Sequence, residues 1–214
     1  MELLYRKFII PSFDRIVGEL LNVAEKVNYT ASKEVRSWVV PISDTLNECP
    51  VLKDFLQSRL KKPIRQIKFY YSPPMQGLGA HVDGSSITKI PFSMNCPLLN
   101  TKGTSHYWHD CPPENTKIIR AKQRVKSEII DERSGSLVNW QLAVPMVEVP
   151  IDRSIMPVLD MLEMLTPAIV KTDIMHSAFN PNKTGRLIVA FRWGLENIDY
   201  SEPEDVIDLK DLYV

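Results

Sequence analysis

His81 and Asp83 stand two residues apart in Gly79-Ala80-His81-Val82-Asp83-Gly84, at the end of a run that reads as a β-strand. Side chains at i and i+2 of a strand share a face, so this imidazole and carboxylate can grip one object together. The pair is half of a metal site and needs a third donor. The chain holds only four histidines, and His176, in Asp173-Ile174-Met175-His176-Ser177, is the best candidate. Two histidines and one carboxylate on one face of an octahedral ion leave its other positions open, an arrangement suited to non-haem Fe(II). A lone strand histidine is more often packing or surface than ligand, so its surroundings must decide. Arg186 follows His176 across Asn180-Pro181-Asn182-Lys183-Thr184-Gly185 and opens an apolar run. A cation buried there is prohibitively unfavourable unless the site receives an anion, and a planar guanidinium matches a carboxylate.

These residues need a scaffold that returns a late strand beside an early one. Residues 1–11 read as a first strand ending at Pro11. Ser12 then reads as the N-cap of a helix running to about Val27, with Phe13, Ile16, Val17, Leu20, Leu21, Ala24 and Val27 on one apolar face. A strand over Ser37–Val40 and a second helix from Pro50, carrying Leu52, Phe55, Leu56 and Leu60, follow. Strands are then expected over Ile64–Tyr71, Thr88–Leu98 and Thr104–His109. A long hairpin over 117–130 and 136–149 turns at Arg133-Ser134-Gly135. Ala168–Phe179 and Arg186–Trp193 are the late strands, and 154–165 is ambiguous, with a short helix through Met156, Leu159, Leu162 and Leu165 as one reading. Two helices followed by many short strands predict a mainly β, antiparallel jelly roll with the helices on one outer face. A single domain is expected, with helical support over about 1–63, a barrel core over about 64–194 and a peripheral acidic tail over 195–214.

Composition narrows the setting. With 214 residues, 44% hydrophobic and 24% charged, the chain can bury a core without disulfides or structural metal. Lysine plus arginine and aspartate plus glutamate both number 26, so general attraction to nucleic acid or anionic membrane is not expected. Sixteen prolines against eight glycines speak for rigid turns rather than low complexity. Cys49, Cys96 and Cys111 are odd in number and irregularly spaced, which predicts free thiols in the cytoplasm. No apolar run reaches membrane-spanning length. The tripeptides Asn28-Tyr29-Thr30 and Asn182-Lys183-Thr184 fit a glycosylation pattern that has no meaning in that compartment.

The ordered set "HVDG" and "TDIMHSAFNPNKTGRLIVAFRW" resembles the 2-oxoglutarate- and Fe(II)-dependent dioxygenase superfamily, whose pattern is His-x-Asp/Glu, a long spacer, His, and Arg about ten residues on. The resemblance spans roughly residues 64 to 194. It implies a double-stranded β-helix, with His81, Asp83 and His176 binding Fe(II) and Arg186 binding the distal carboxylate of 2-oxoglutarate. The free metal positions would serve the cosubstrate and O2. Oxidative decarboxylation to succinate and carbon dioxide would then drive hydroxylation of a substrate. Position 188 is Ile rather than the serine often found there, so a second carboxylate contact must come from elsewhere.

Further candidates are Tyr71 and Asn95, on flanking strands, as hydrogen-bond donors to the cosubstrate, each equally readable as packing. Arg192 shares strand parity with Arg186 and is either an inward clamp or a surface ion pair, and Lys89 is a further carboxylate partner. His106, His109, Cys111 and Cys96 form a rival zinc set. Their spacing fits no common finger, and alternation sends His106 and His109 to opposite faces, so lining of a substrate mouth is preferred. Specificity would lie in mouth loops at 72–80 and 100–116. The resemblance leaves the substrate open: an amino-acid side chain, on a protein or free, or another small molecule, with a nucleobase disfavoured by charge. A cupin-type metal enzyme without 2-oxoglutarate and a non-catalytic jelly-roll binding module are the alternatives.

Overall fold

The structure is a computed structural model that describes residues 3–83, 91–120, 127–130, 137–140, 146–152, 156–193 and 202–214. In chain order, the elements of the N-terminal part are Tyr5–Lys7 (β1), Phe13–Glu25 (α1), Arg36–Val40 (β2), Ile42–Glu48 (α2) and Pro50–Arg59 (α3). The next strands are Ile64–Ser72 (β3), Gln76–His81 (β4), Phe92–Leu99 (β5), Ser105–His109 (β6) and Thr116–Arg120 (β7). Ser127–Ile130 (β8), Leu137–Trp140 (β9), Met146–Pro150 (β10) and Val158–Glu163 (β11) follow, and Ala168–Lys171 (β12), His176–Asn180 (β13) and Arg186–Trp193 (β14) complete the series.

The strands form a larger sheet in the order β1-β12-β5-β14-β3-β2 and a smaller one in the order β11-β6-β13-β4. All pairings are antiparallel. From β3 to β6 and again from β11 to β14 the chain switches between these sheets, which is the winding of a double-stranded β-helix. Two ribbons, β7 with β10 and β8 with β9, extend from between β6 and β11.

Alternation along β14 explains how one strand serves two layers. Leu187, Val189, Phe191 and Trp193 join Ile67, Phe69 and Tyr71 of β3 in the main core, against Ile16 and Leu20 of α1 and Leu52 and Leu56 of α3. The other parity, Arg186, Ile188 and Arg192, faces the space between the sheets. Burial on both faces makes the whole of β14 inaccessible.

Several sequence expectations change. Ser12 sits at the start of α1 but in the left-handed region (φ 56°), and its side chain makes no capping bond. Capping needs the extended backbone that this turn lacks. The short helix α2 was not expected; its 7 residues, about two turns, are too few to show a period. Residues 158–163 are a strand paired with β6, with Leu162 buried while Leu159 and Leu165 are exposed, so the helical reading of 154–165 is wrong. Ala168–Phe179 is two strands in different sheets, parted at residues 172–175. Residues 76–80 of the mouth loop expected at 72–80 are strand, and within 100–116 the strand expected over Thr104–His109 is present as β6. The described part of the tail is not peripheral: Val206, Ile207 and Leu209 are fully buried in the main core, and Arg6 and Arg59 pair with Glu204 and Asp211. The hairpin expected around Arg133-Ser134-Gly135 turns outside the described residues, although its flanking strands pair as foreseen.

Gly77 lets β4 approach β13 closely. A Cβ there would lie 2.0 Å from the Ala178 carbonyl oxygen. Gly77→Ala should therefore cost about 1–3 kcal/mol, as overpacking does. It should also weaken divalent-metal binding, because β4 and β13 carry the two histidines; thermal unfolding with and without Mn(II) reads both effects.

Candidate metal centre

His81 ends β4 and His176 begins β13, and the two are directly opposed in the antiparallel register. Their rings lie 4.5 Å apart between centroids. Asp83, two residues beyond His81, returns to the same face, with its Oδ1 3.5 Å from His81 Nε2. One ligand atom from each of His81, Asp83 and His176 falls within 4.8 Å of the others, the one such group of three or more metal-ligating side chains among the described residues.

The imidazoles are set for coordination before any ion arrives. His81 Nδ1 lies 2.8 Å from the Gly79 carbonyl, and His176 Nδ1 lies 2.8 Å from the Ile174 carbonyl. A carbonyl only accepts, so each Nδ1 carries the proton and each Nε2 offers its lone pair. Such backbone partners fix the tautomer and orientation of metal-binding histidines. Asp83 is held from the far side: Arg192 Nη2 donates to Asp83 Oδ2 at 2.6 Å and to the Tyr70 hydroxyl at 2.6 Å. Burial alone would raise the Asp83 carboxyl, but the Arg192 guanidinium outweighs it and holds the group well below the usual carboxylate range. The donor set is thus one carboxylate and two imidazoles on one side of a cavity, which fits a divalent ion with open positions.

The empty space of the cavity, the solvent at its open mouth included, comes to about 510 Å³. Arg186 lines it and is 2% exposed. Burial lowers its guanidinium to about 10, and its Nε and Nη2 have no hydrogen-bond partner among the described residues. Asn95 also lines the cavity and accepts a hydrogen bond from Ser93 at 2.9 Å. Tyr71 does not reach it. It belongs to the helix-facing core, packed against Tyr29, and the cavity-facing tyrosine of β3 is Tyr70, the neighbour of opposite parity. Arg192 is not a surface ion pair: it is 9% exposed and bound to a ligand of the metal centre. Lys89 and Gly84 lie outside the described residues.

His106 lines the cavity, stacked on His176 at a 5.0 Å centroid distance and 10° between planes. His109 faces away and meets the Ser177 hydroxyl at 2.8 Å. Cys96 belongs to the helix-facing core and Cys111 to a small cluster on the outer face of the smaller sheet. The rival zinc set is therefore dispersed over three faces. The three thiols are free, and burial pushes Cys49 up to about 12. No helix among the described residues is long and apolar enough to cross a membrane.

Burial, with the neighbouring His81 adding to it, lowers His176 from 6.5 to about 4. Burial also holds His106 well below its ordinary value, with His176 and Arg186 adding to it. An unfolded chain takes protons on these imidazoles below about pH 6.5, whereas native His176 does so only below about 4. The unfolded state therefore holds more protons across that window, and stability rises with pH through it. The metal-free protein should lose stability as pH falls from about 6.5 to 4, His176 alone contributing on the order of 3 kcal/mol. Thermal unfolding at stepped pH checks this, and a flat Tm across the window would contradict neutral, buried imidazoles.

No protein-family model and no curated protein sequence matches the chain. Among solved structures, its neighbours across most of the chain are 2-oxoglutarate/Fe(II) oxygenases. The carbocyclase SnoK from nogalamycin biosynthesis, a non-haem α-ketoglutarate-dependent enzyme, is 13% identical, covering 99% of this chain and 92% of its own, with a TM-score of 0.45. A viral collagen prolyl hydroxylase from Paramecium bursaria Chlorella virus-1, in its 2-oxoglutarate complex, is 10% identical over 89% of this chain and 94% of its own (TM-score 0.42). HygX from Streptomyces hygroscopicus, with nickel and 2-oxoglutarate bound, is 14% identical over 90% and 82% (TM-score 0.39).

Proposed function

We propose that this protein is a 2-oxoglutarate-dependent non-haem Fe(II) dioxygenase that hydroxylates an amino-acid side chain, on a protein, a peptide or free, or another small molecule. The observation that carries the reading is Arg186, a buried guanidinium whose Nε and Nη2 have no partner among the described residues, in the same cavity as a two-histidine, one-carboxylate centre. His81, Asp83 and His176 would hold the iron, and Arg186 would hold the distal carboxylate of the cosubstrate. When bound, iron, 2-oxoglutarate and O2 supply the oxidising power, with succinate and carbon dioxide as coproducts. The chain's own residues do the rest. The two backbone carbonyls orient the imidazoles, Arg192 keeps Asp83 ionised and aimed, and Arg186 fixes the cosubstrate's far end. Asn95 and Tyr70 add polar groups to the wall.

A cupin-type metal enzyme has no use for a buried carboxylate clamp, and a binding module has none for two histidines with their Nε2 atoms preset toward one point. The balanced formal charge weighs against nucleic acid as substrate. The free thiols support a reducing, cytoplasmic setting. Anaerobic addition of Fe(II) and 2-oxoglutarate should produce a weak visible charge-transfer band and raise the Tm. Succinate formation should then be screened against peptide, amino-acid and nucleotide pools. An unchanged spectrum and Tm would sink the enzymatic reading.

A further inference from the structure

We infer that His106 is the second donor of the anion slot built around Arg186, so that an imidazole N–H from the smaller sheet and a guanidinium from the larger one close on a single carboxylate. The inference rests on the cosubstrate reading above and adds the contact that β14 itself does not supply. Ile188, two residues beyond Arg186 on the same face, lines the cavity and is apolar, so no hydroxyl stands beside the guanidinium on that strand.

His106 projects inward from β6, where it pairs in register with Ala178, another cavity residue. Its ring has little freedom. It stacks on His176 and meets Trp108 at a 4.5 Å centroid distance. In that fixed orientation its Nε2 is buried and lacks a hydrogen-bond partner among the described residues, as do Nε and Nη2 of Arg186. His106 is 5% exposed and Arg186 2%. Buried polar atoms are almost always satisfied, so three orphaned nitrogens from facing sheets of one cavity mark the place of an acceptor that the described residues do not supply. A carboxylate has two oxygens with about four lone-pair sites, enough for a bidentate guanidinium and one further N–H. His106 does not belong to the metal-ligating group, so its part is with the anion.

The test compares two 2-oxo acids that differ at the far end. Both 2-oxoglutarate and pyruvate carry the 2-oxo acid group, but pyruvate lacks the distal carboxylate. Dissociation constants for each, and for Mn(II), are measured anaerobically on the full chain for wild type, His106→Phe and His106→Gln. The phenylalanine variant keeps the aromatic stack without a donor, and the glutamine variant restores one; His106→Leu replaces the former if the phenyl ring prevents folding. The donorless variant should bind 2-oxoglutarate roughly 10- to 100-fold more weakly, with pyruvate and Mn(II) unchanged and much of the loss recovered in His106→Gln. Unchanged 2-oxoglutarate binding would make His106 a packing residue. Equal losses for 2-oxoglutarate, pyruvate and Mn(II) would make it a support of His176, and either result overturns the inference alone. Failure of the wild type to bind 2-oxoglutarate with metal would instead remove the cosubstrate reading, and this inference with it.

Discussion

Arg186→Met should spare metal binding, weaken 2-oxoglutarate binding by about 2–5 kcal/mol (roughly 30- to 5,000-fold in Kd), and make the metal-free protein more stable. The three outcomes have one cause. In the folded chain the Arg186 guanidinium is taken out of water, and its Nε and Nη2 receive nothing in return among the described residues. Burial shows in its lowered basicity, about 10. Each unsatisfied buried N–H costs about 1–3 kcal/mol, so an apolar side chain of similar length should relieve strain that only an anion otherwise relieves. Methionine fills the space flexibly. The metal ligands lie on β4 and β13 and just after β4, and none contacts Arg186 through a hydrogen bond or ion pair, so Mn(II) affinity should hold. Thermal unfolding of the metal-free variant and anaerobic titration of 2-oxoglutarate decide the matter. A lower Tm with unchanged cosubstrate affinity would make Arg186 a structural cation instead.

How much of this was legible in the chain depended on what lay nearby in sequence. His81 and Asp83 declare a shared face by their spacing, and Arg186 is conspicuous because it opens an apolar run. Tyr71 was misassigned because β3 is buried on both sides, by helices and by the cavity. The polar and apolar alternation that fixes a strand's faces is then lost, and the choice between Tyr70 and Tyr71 becomes a question of parity that composition does not answer. Arg192 was readable as inward by its parity with Arg186. Its partner Asp83 was not, since the two meet only when the larger sheet closes against the end of β4. His106 was readable as a lining residue set apart from His109 by alternation, but not as a partner of Arg186, which lies on another sheet.

The errors of fold have similar origins. Residues 168–179 read as one apolar strand, yet the chain changes sheets at 172–175, and only the winding of the barrel reveals the crossing. Leu159, Leu162 and Leu165 keep a helical spacing that has no helical burial behind it: Leu162 packs with Trp108 while the other two face solvent. The acidic tail hid Val206, Ile207 and Leu209, whose burial beside Leu60 and Phe8 depends on contacts with the opposite end of the chain.

Arg192→Met should be the most destabilising of the cavity substitutions in the absence of metal, and metal should largely reverse it. Removing the guanidinium leaves Asp83, 6% exposed, as a buried carboxylate with no other arginine or lysine bonded to it among the described residues. Breaking a buried pair in this way costs about 3–5 kcal/mol, or a fall in Tm of roughly 6–20 °C for a chain of this length. A divalent ion held by His81, Asp83 and His176 would supply the missing positive charge. The Tm gain from saturating Mn(II) should therefore be larger in the variant than in the wild type, where Arg192 already balances Asp83 and repels the incoming cation. Proton binding should act in the same direction as metal. Without Arg192, burial raises the Asp83 carboxyl, so acidification should narrow the gap between variant and wild type as the carboxylate is neutralised. Differential scanning fluorimetry across pH, with and without Mn(II), measures both effects. If Arg192→Met unfolds like wild type at neutral pH, Asp83 is not held there as a buried anion. Arg192 would then be a wall residue of the cavity rather than the group that keeps the third ligand charged.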